Sequence, residues 1–403
     1  MTQHSDVIII GGGLVGMALA LALDAHGMSS AVIDTADLDT TFAPGFDGRA
    51  SAISSASVKM LGAIGVADAI ASEGCPIREI RVTDGLSPMH LHFDGRAEET
   101  PLGVMFENRV LRASLIEAGR KAGNIAIHAP ARATRIERGE AGVTVTLHDG
   151  TELRAPLVVA AEGRRSPLRE QAGIRIGRWQ YGHRGIVTMI EHEANHGNVA
   201  FELFYPTGPF AILPMNPGTR SGIVWSVPEE EADAWLALPP RALAAEFDKR
   251  MGGFLGRFDF IAPVQTWPLG FHHAERYVDH RLVLVGDSAH GIHPIAGQGF
   301  NLGLRDAAAL AEVLVESARL GLDLGSPVVL ERYQRWRRLD AATVAGVGDL
   351  LVRLFGLPGK PAATVRRLGL AAVERLSPLK SFFMNEARGQ TGDLPKLLQG
   401  ALA

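Results

Sequence analysis

The chain has one cysteine, Cys75, in 403 residues. No intrachain disulfide can form, which excludes an exported disulfide scaffold and suits a reducing compartment. Long apolar runs are also missing. No stretch is long enough to cross a bilayer as a helix, and the first apolar run, at Val7, has no basic leader before it. A cytoplasmic protein is therefore expected. Charge of one sign is scarce: 40 Lys and Arg stand against 44 Asp and Glu, a formal net charge of -4. That balance argues against a general nucleic-acid binder. No metal site is expected. His290 and His293 lie three apart, but Pro294 follows and no further ligand stands near. His272, His273, His192 and His196 are read as surface or hydrogen-bonding histidines. Apolar residues are plentiful at 46% of the chain, enough for a large core and two or more domains.

Two glycine-rich turns stand out. In the first, Val7-Ile8-Ile9-Ile10 reads as a buried strand, and Gly11-Gly12-Gly13-Leu14-Val15-Gly16 follows at once as G-x-G-x-x-G. Residues 17–26 read as a helix closed by Gly27, and residues 30–33 as a second strand ending at Asp34. This is the whole β-α-β dinucleotide fingerprint. Gly11 makes the tight turn, Gly13 lets backbone meet a pyrophosphate, and Gly16 lets helix and strand pack. Asp34 is placed for ribose hydroxyls and disfavours a 2′-phosphate, so FAD or NAD fits better than NADP. The pattern does not separate FAD from NAD.

In the second turn, Leu282-Val283-Leu284-Val285 reads as a buried strand that stops at Gly286-Asp287. Pro294, Gly297, Gln298 and Gly299 follow, then a long helical pattern from Phe300. Glycines leave room for a ligand to meet backbone, and the helix points its free N–H groups and positive dipole end at the same space. Asp287 offers a carboxylate to hydroxyls. A polyol beside an electron-poor ring fits such a place, and a flavin is both.

Between the turns, Arg49 could reach a pyrophosphate or flavin. Asn108, Arg109 and Arg112 begin an amphipathic helix over 108–122 at the end that would face a ligand. Residues 157–161 read as another buried strand, followed by Glu162-Gly163. From 173 to 266 the texture changes to strand-like pieces with Pro and Gly turns and one helix at 240–251, which reads as an antiparallel sheet. The expected domains are a discontinuous dinucleotide domain (1–75, 100–172 and 267–330), an inserted sheet domain (76–99 and 173–266), and a C-terminal helical region (331–403). Helices are expected over 333–345, 347–355 and 364–376. Between Arg353 and Lys380 basic residues outnumber acidic ones. Such helices either cap the core or lie on an anionic membrane or a partner complex.

The G-x-G-x-x-G with Asp34, the Glu162-Gly163 turn, and Gly286-Asp287 with Gly297-Gln298-Gly299 together resemble the single-component FAD-dependent aromatic hydroxylases, the class that includes p-hydroxybenzoate hydroxylase. The run from Gly286 to Asp306, with Arg49-Ala50-Ser51-Ala52-Ile53-Ser54 and Gly208-Pro209-Phe210-Ala211-Ile212-Leu213-Pro214, looks like the narrower ubiquinone-biosynthesis hydroxylase family. The resemblance implies an α/β fold: a Rossmann-like FAD-binding domain of p-hydroxybenzoate hydroxylase type, an inserted mainly antiparallel β-sheet substrate domain, and C-terminal helices. It implies that Gly11, Gly13, Gly16 and Asp34 hold the ADP half of FAD, that Asp287 binds the ribityl chain, and that Gly297, Gln298, Gly299 and Asn301 cradle the pyrimidine edge. Arg49, Asn108 and Arg112 are further carry-overs. The middle motif usually reads Asp-Gly in the family; here it is Glu162-Gly163.

The implied reaction runs through a flavin C4a-hydroperoxide that attacks an electron-rich ring carbon. Pro294 and Gly297 would wall the flavin face, and Phe201, Phe204, Tyr205, Phe210 and Leu213 would line an apolar pocket for a polyprenylated phenol. Tyr205 and His290 are candidate bases. The electron donor is NAD(P)H or an electron-transfer protein, since no second nucleotide-binding fold is visible. Three rival readings remain. A hydroxylase of a small aromatic acid would use Arg184 or Arg220 for the carboxylate. The others are an FAD-dependent isoprenoid reductase and a non-catalytic flavin-bearing subunit at a membrane surface.

Overall fold

The valine- and isoleucine-rich segments lie side by side in the centre of the computed structural model, which describes residues 2–43, 49–88, 90–95, 100–291, 299–338, 340 and 377–403. One sheet has the order Val278–Asp279, Leu282–Leu284, Leu157–Ala160, Val7–Ile10, Ser30–Ile33, Ile125–His128. All its pairings are parallel except the first, at one edge. Val7–Ile10 and Leu157–Ala160 are buried along their whole length, as parallel strands covered on both faces must be. The first helix spans Leu14–Asp24, three residues earlier than its apolar pattern suggests, because it begins inside the glycine motif. The helix Gly299–Arg319 is buried over most of its length and packs on the first helix. A small sheet of Thr2–His4, Glu152–Ala155, Gly142–Leu147 and Ala133–Gly139 adjoins this unit.

The second large sheet runs His290–Gly291, Gln265–Ala274, Ile176–His192, Arg220–Pro228, Gly208–Met215, Val199–Tyr205, Glu79–Asp84, His90–Asp94, with Phe258–Phe260 paired to Ile176–His192. It is antiparallel except where Val199–Tyr205 meets Glu79–Asp84. The strand Gln265–Ala274 belongs to this sheet and runs past residue 266, where the sequence placed the boundary. The texture change marks the end of the antiparallel region, but this strand carries on toward the dinucleotide sheet and links the two.

Successive side chains on a strand point to opposite faces. One face of this sheet carries Phe210, Trp225, Ile212 and Leu203, and it is covered by the helices Glu229–Leu236 and Pro240–Met251. Phe247 packs edge-on to Phe210 at 5.6 Å and to Trp225 at 5.5 Å. Each such ring contributes about 1.5–3 kcal/mol by burial. The other, inner face carries Ala200, Leu213, Met215 and Met189 and meets a three-stranded sheet of Ala50–Ser54, Gly103–Glu107 and Cys75–Ile77.

This two-faced packing corrects part of the expected pocket. Phe201, Tyr205 and Phe210 belong to the helix-covered face, so they are core rather than pocket residues. Phe204 and Leu213 alternate onto the inner face, as their cross-strand partners Pro209 and Gly222 do. Strand texture alone does not say which face a helix covers. The C-terminal part has a helix at 327–338, then Ser377–Ala387 and Lys396–Gln399. The expected helices at 347–355 and 364–376 lie outside the described residues. Among the described residues no helix is long and apolar enough to cross a membrane.

Candidate flavin site

The first glycine turn is shaped by two close approaches. Gly11 has φ +107°, and a Cβ there would lie 2.4 Å from the Ala161 carbonyl oxygen. A Cβ on Gly16 would lie 1.9 Å from the Gly11 carbonyl oxygen, so the first helical turn rests directly on the loop. Gly13 differs: a Cβ there would meet nothing within 4 Å. Gly13 is the N-cap of the helix and makes no side-chain cap, so the N–H groups of the first turn face open space, a ready anion cradle. Asp34 Oδ2 accepts from the Gly12 N–H at 2.6 Å and Oδ1 from the Ala36 N–H at 2.8 Å. Its carboxylate fixes the turn and keeps lone pairs for a further donor.

The second turn comes to the same place. A Cβ on Gly303 would lie 2.6 Å from Val15 Cγ2, and one on Gly286 would lie 3.1 Å from the same methyl. Val15 belongs to the first glycine motif, so the two motifs, about 270 residues apart in the chain, touch through one side chain. Gly286–Ser288 forms a single 3₁₀ turn. The Asp287 carboxylate is half exposed, with Arg164 Nε at 3.4 Å, a length that holds it only loosely. The Asp287 carbonyl accepts from His272 Nε2 at 2.8 Å. Burial lowers the His272 pKa, which favours the neutral ring with its proton on that nitrogen.

The middle motif buttresses this turn. The Gly163 N–H donates to Ser288 Oγ at 3.1 Å, and the buried Arg169 donates to the Ser288 and Arg164 carbonyls at 3.0 and 2.9 Å. Glu162, in place of the family's usual Asp, turns inward. It accepts from Ser166 Oγ at 2.5 Å and from the Leu168 N–H at 3.1 Å. Burial raises its pKa despite those bonds. Its added length reaches the start of the helix Pro167–Gln171 and caps it.

The remaining expected residues divide. Asn108 is buried and accepts from Ser51 Oγ at 2.6 Å. Asn301 accepts from the Ser54 N–H at 2.9 Å and donates to the Ala52 carbonyl at 2.8 Å. Both amides thus fasten the strand Ala50–Ser54, and Asn301 ties it to the first turn of Gly299–Arg319. Asn301 so carries a fastening role at the residue the family resemblance places by the pyrimidine edge. Arg112 reaches the Thr41 carbonyl at 3.4 Å. Arg49 lies 4.7 Å over the Trp267 ring, on the inner-face side of the large sheet. Gly299 opens the long helix. Pro294, Gly297 and Gln298 lie outside the described residues.

Neither expected base is free. Tyr205 donates to the Arg250 carbonyl at 2.6 Å, and burial raises its pKa. His290 Nε2 is bound to Asp306 Oδ2 at 2.6 Å. Asp306 is the last residue of the 286–306 run. It is fully buried, accepts from the Gly286 N–H at 2.8 Å, and pairs with Arg337 Nε at 2.7 Å. Arg337 also reaches Asp340 at 2.5 Å, and Asp340 reaches Arg305 at 2.6 Å. This chain of charges sits directly behind the second turn. A Cys- or His-centred motif search does not find it, because its members are spread from 286 to 340.

The cradle at Gly13, the carboxylates of Asp34 and Asp287, and the contact between the two turns fit FAD, which carries a diphosphate and a polyol chain. Fold and site together define an FAD-dependent monooxygenase of the p-hydroxybenzoate hydroxylase type. Residues 4–345 match the family described as FAD binding domain. The chain is 47% identical over 399 residues to ubiquinone hydroxylase UbiL of Rhodospirillum rubrum, covering 98% of this chain and 93% of that protein. It is 36% identical to 3-demethoxyubiquinol 3-hydroxylase of Escherichia coli, covering 96% and 99%. The structure of p-nitrophenol 4-monooxygenase PnpA from Pseudomonas putida superposes with a TM-score of 0.81 at 18% identity, covering 98% and 100%, which is a likeness of fold. The chain belongs to the ubiquinone-biosynthesis family of FAD-dependent hydroxylases.

The loose Arg164 contact leaves Asp287 able to accept from a ribityl hydroxyl. Asp287→Ala is expected to weaken FAD binding about 10- to 100-fold, the loss of one charged hydrogen bond. Its melting temperature without FAD should stay unchanged. Quenching of FAD fluorescence on titration measures the affinity; wild-type affinity in the variant would remove Asp287 from the site.

Proposed function

We infer that this FAD-dependent hydroxylase adds one oxygen atom to the aromatic ring of a polyprenylated phenol or benzoquinol on the way to ubiquinone. The observation that carries the substrate class is the inner face of the large sheet. Phe204, Ala211, Leu213, Val224 and Met189 alternate onto it, and Trp267 stands on the same face beside Arg49. Such a wall suits a greasy ring and tail. The small-acid reading needs a cation to hold a carboxylate. Its two candidates are engaged: Arg184 with Asp233 at 2.7 Å and Arg220 with Glu191 at 3.1 Å.

When bound, FAD supplies the redox chemistry, taking electrons from an external donor and activating O₂. The chain's own residues bind and shield. The Gly13 cradle would hold the diphosphate, Asp34 and Asp287 would accept from the sugar and ribityl hydroxyls, and Asn301 fixes the strand between the flavin turn and the inner face. That apolar wall keeps water from the reacting ring.

Deleting the gene should make a quinone precursor one oxygen lighter accumulate, visible by lipid mass spectrometry. Growth under ¹⁸O₂ with the gene present should label that position. An unchanged quinone profile after deletion would sink the proposal. The isoprenoid-reductase reading predicts turnover without O₂, so an anaerobic assay separates it.

A further inference from the structure

Glu202 is a carboxylate in a place where a carboxylate is costly. It lies in the strand Val199–Tyr205, between Phe201 and Leu203, which face the covering helices. Alternation turns Glu202 the other way. Its cross-strand partners are Ala211 on one side and Val82 on the other, and its same-face neighbours along the strand are Ala200 and Phe204. Val82, Ala200 and Leu213 belong to the apolar cluster shared with the three-stranded sheet, through Ala50, Ala52 and Met105, and with Phe383 and Met384 of Ser377–Ala387. Ala50 and Ala52 lie on the strand that Asn301 ties to the flavin turn. Glu202 therefore looks across the inner face toward the side from which the flavin site is built. The residue as a whole is half-buried, while its carboxyl sits deep among these apolar side chains, and among the described residues no hydrogen bond or ion pair engages it.

An unpaired carboxyl on an apolar wall needs a reason, because taking it out of water without a partner is unfavourable. A core role does not supply one, since a glutamine or leucine would fill the volume at less cost. A substrate hydroxyl does.

We propose that Glu202 is the group that receives the phenolic hydroxyl of the ring to be hydroxylated, as hydrogen-bond acceptor and then as base.

The substrate class comes from the proposed function; the placement of Glu202 does not. The step balances simply. The phenol O–H bond breaks, the proton bonds to a Glu202 carboxylate oxygen, and the electron pair stays on the phenol oxygen. The ring becomes electron-richer where an electrophilic oxygen is added. The proton returns when the product leaves, so Glu202 ends as it began.

The environment suits the task. Burial alone pushes the Glu202 carboxyl up to about 8. Of the titratable groups on the packed elements, Asp84 lies further along the same face of Glu79–Asp84, Glu107 ends the facing strand Gly103–Glu107, and Lys380 and Glu386 stand on Ser377–Ala387. Cys75 is buried in the facing sheet with its thiol pushed up to about 11. None of these moves Glu202, whose shift has no charge among its causes. A phenol near 10 opposes proton transfer to an ordinary carboxylate by roughly a millionfold; against Glu202 the factor is roughly a hundredfold.

The test uses the FAD-loaded enzyme and its Glu202→Gln and Glu202→Asp variants. The probe is an alkylated fluorophenol, whose ¹⁹F resonance moves when the group accepting its hydroxyl proton becomes charged. In wild-type enzyme the bound resonance should titrate with a step near pH 8. The step should vanish in Glu202→Gln and persist, displaced, in Glu202→Asp. With the prenylated phenol, Glu202→Gln should lose about 10²–10³ in kcat with KM changed less than about threefold. Its pH–rate profile should lose the limb near 8. A third readout needs no turnover. A carboxyl raised on folding contributes stability that is present at low pH and is lost as pH rises through about 8. Wild type should therefore melt progressively lower than Glu202→Gln between pH 5 and 8.5. If Glu202→Gln keeps its flavin and shows the same ¹⁹F step, pH profile and kcat as wild type, the proposal is overturned. If no prenylated phenol is hydroxylated but the ¹⁹F step still depends on Glu202, the substrate reading fails and the role of Glu202 as phenol acceptor stands.

Discussion

Replacing Asp306 by alanine should cost about 3–5 kcal/mol of folding stability and yield protein that retains little flavin. Asp306 is fully buried. Burial by itself would favour the neutral acid, but the neighbouring His290 and the Arg337 guanidinium outweigh it and hold the carboxyl below the ordinary range. Its removal leaves Arg337, also fully buried, with one carboxylate instead of two. It also removes the acceptor of the Gly286 N–H. The stability loss comes from the unpaired charge; the flavin loss comes from the Gly286-Asp287 turn losing its anchor. Chemical denaturation and the flavin-to-protein absorbance ratio measure the two effects. A variant that unfolds at the wild-type denaturant midpoint would show that the network is dispensable. The pH dependence has a definite sign. A carboxyl lowered on folding contributes stability above its unfolded pKa of about 3.9 that is lost as pH falls through the lower folded value. The acid limb of the stability curve should therefore be shallower in Asp306→Asn than in wild type.

Gly16→Ala should give a colourless, destabilised protein that stays empty in excess FAD. The new methyl would stand 1.9 Å from the Gly11 carbonyl oxygen, which is backbone and cannot swing aside. Either the helix Leu14–Asp24 lifts off or the turn opens, and both spoil the cradle. Gly13→Ala provides the contrast. Its methyl meets nothing within 4 Å beyond its own chain neighbours, so the apoprotein should melt as wild type does. The methyl would enter the space a pyrophosphate needs, and FAD affinity should fall while the fold is untouched. Comparing apoprotein melting with FAD titration in the two variants separates packing from ligand approach. Equal behaviour of the two would contradict the geometry.

Much of the dinucleotide half was legible in the letters. Val7–Ile10, Ser30–Ile33 and Asp34 follow from local rules: apolar, β-branched strands, glycines where backbone must approach, and an acid at a strand end. The inserted antiparallel sheet was legible from its Pro- and Gly-punctuated strands. The pocket was not. Phe201, Tyr205 and Phe210 looked as suitable as Phe204 and Leu213, because alternation gives two faces without saying which one the helices Glu229–Leu236 and Pro240–Met251 cover. Glu202 left a faint signal, one acid in a strand otherwise apolar from Val199 to Tyr205.

The sequence by itself determined the class of fold and a dinucleotide site, because those rest on short-range patterns whose geometry is the same wherever they occur; the choice of FAD and of the family came from the resemblance its longer motifs carry. Only tertiary structure decided which residues act together. It set Val15 against Gly303 and Gly286, gathered His290, Asp306, Arg337 and Asp340 behind one turn, and aimed Glu202 at the inner face. Those relations depend on how separated segments pack, and packing is settled by shape and burial across the whole chain rather than by neighbouring letters.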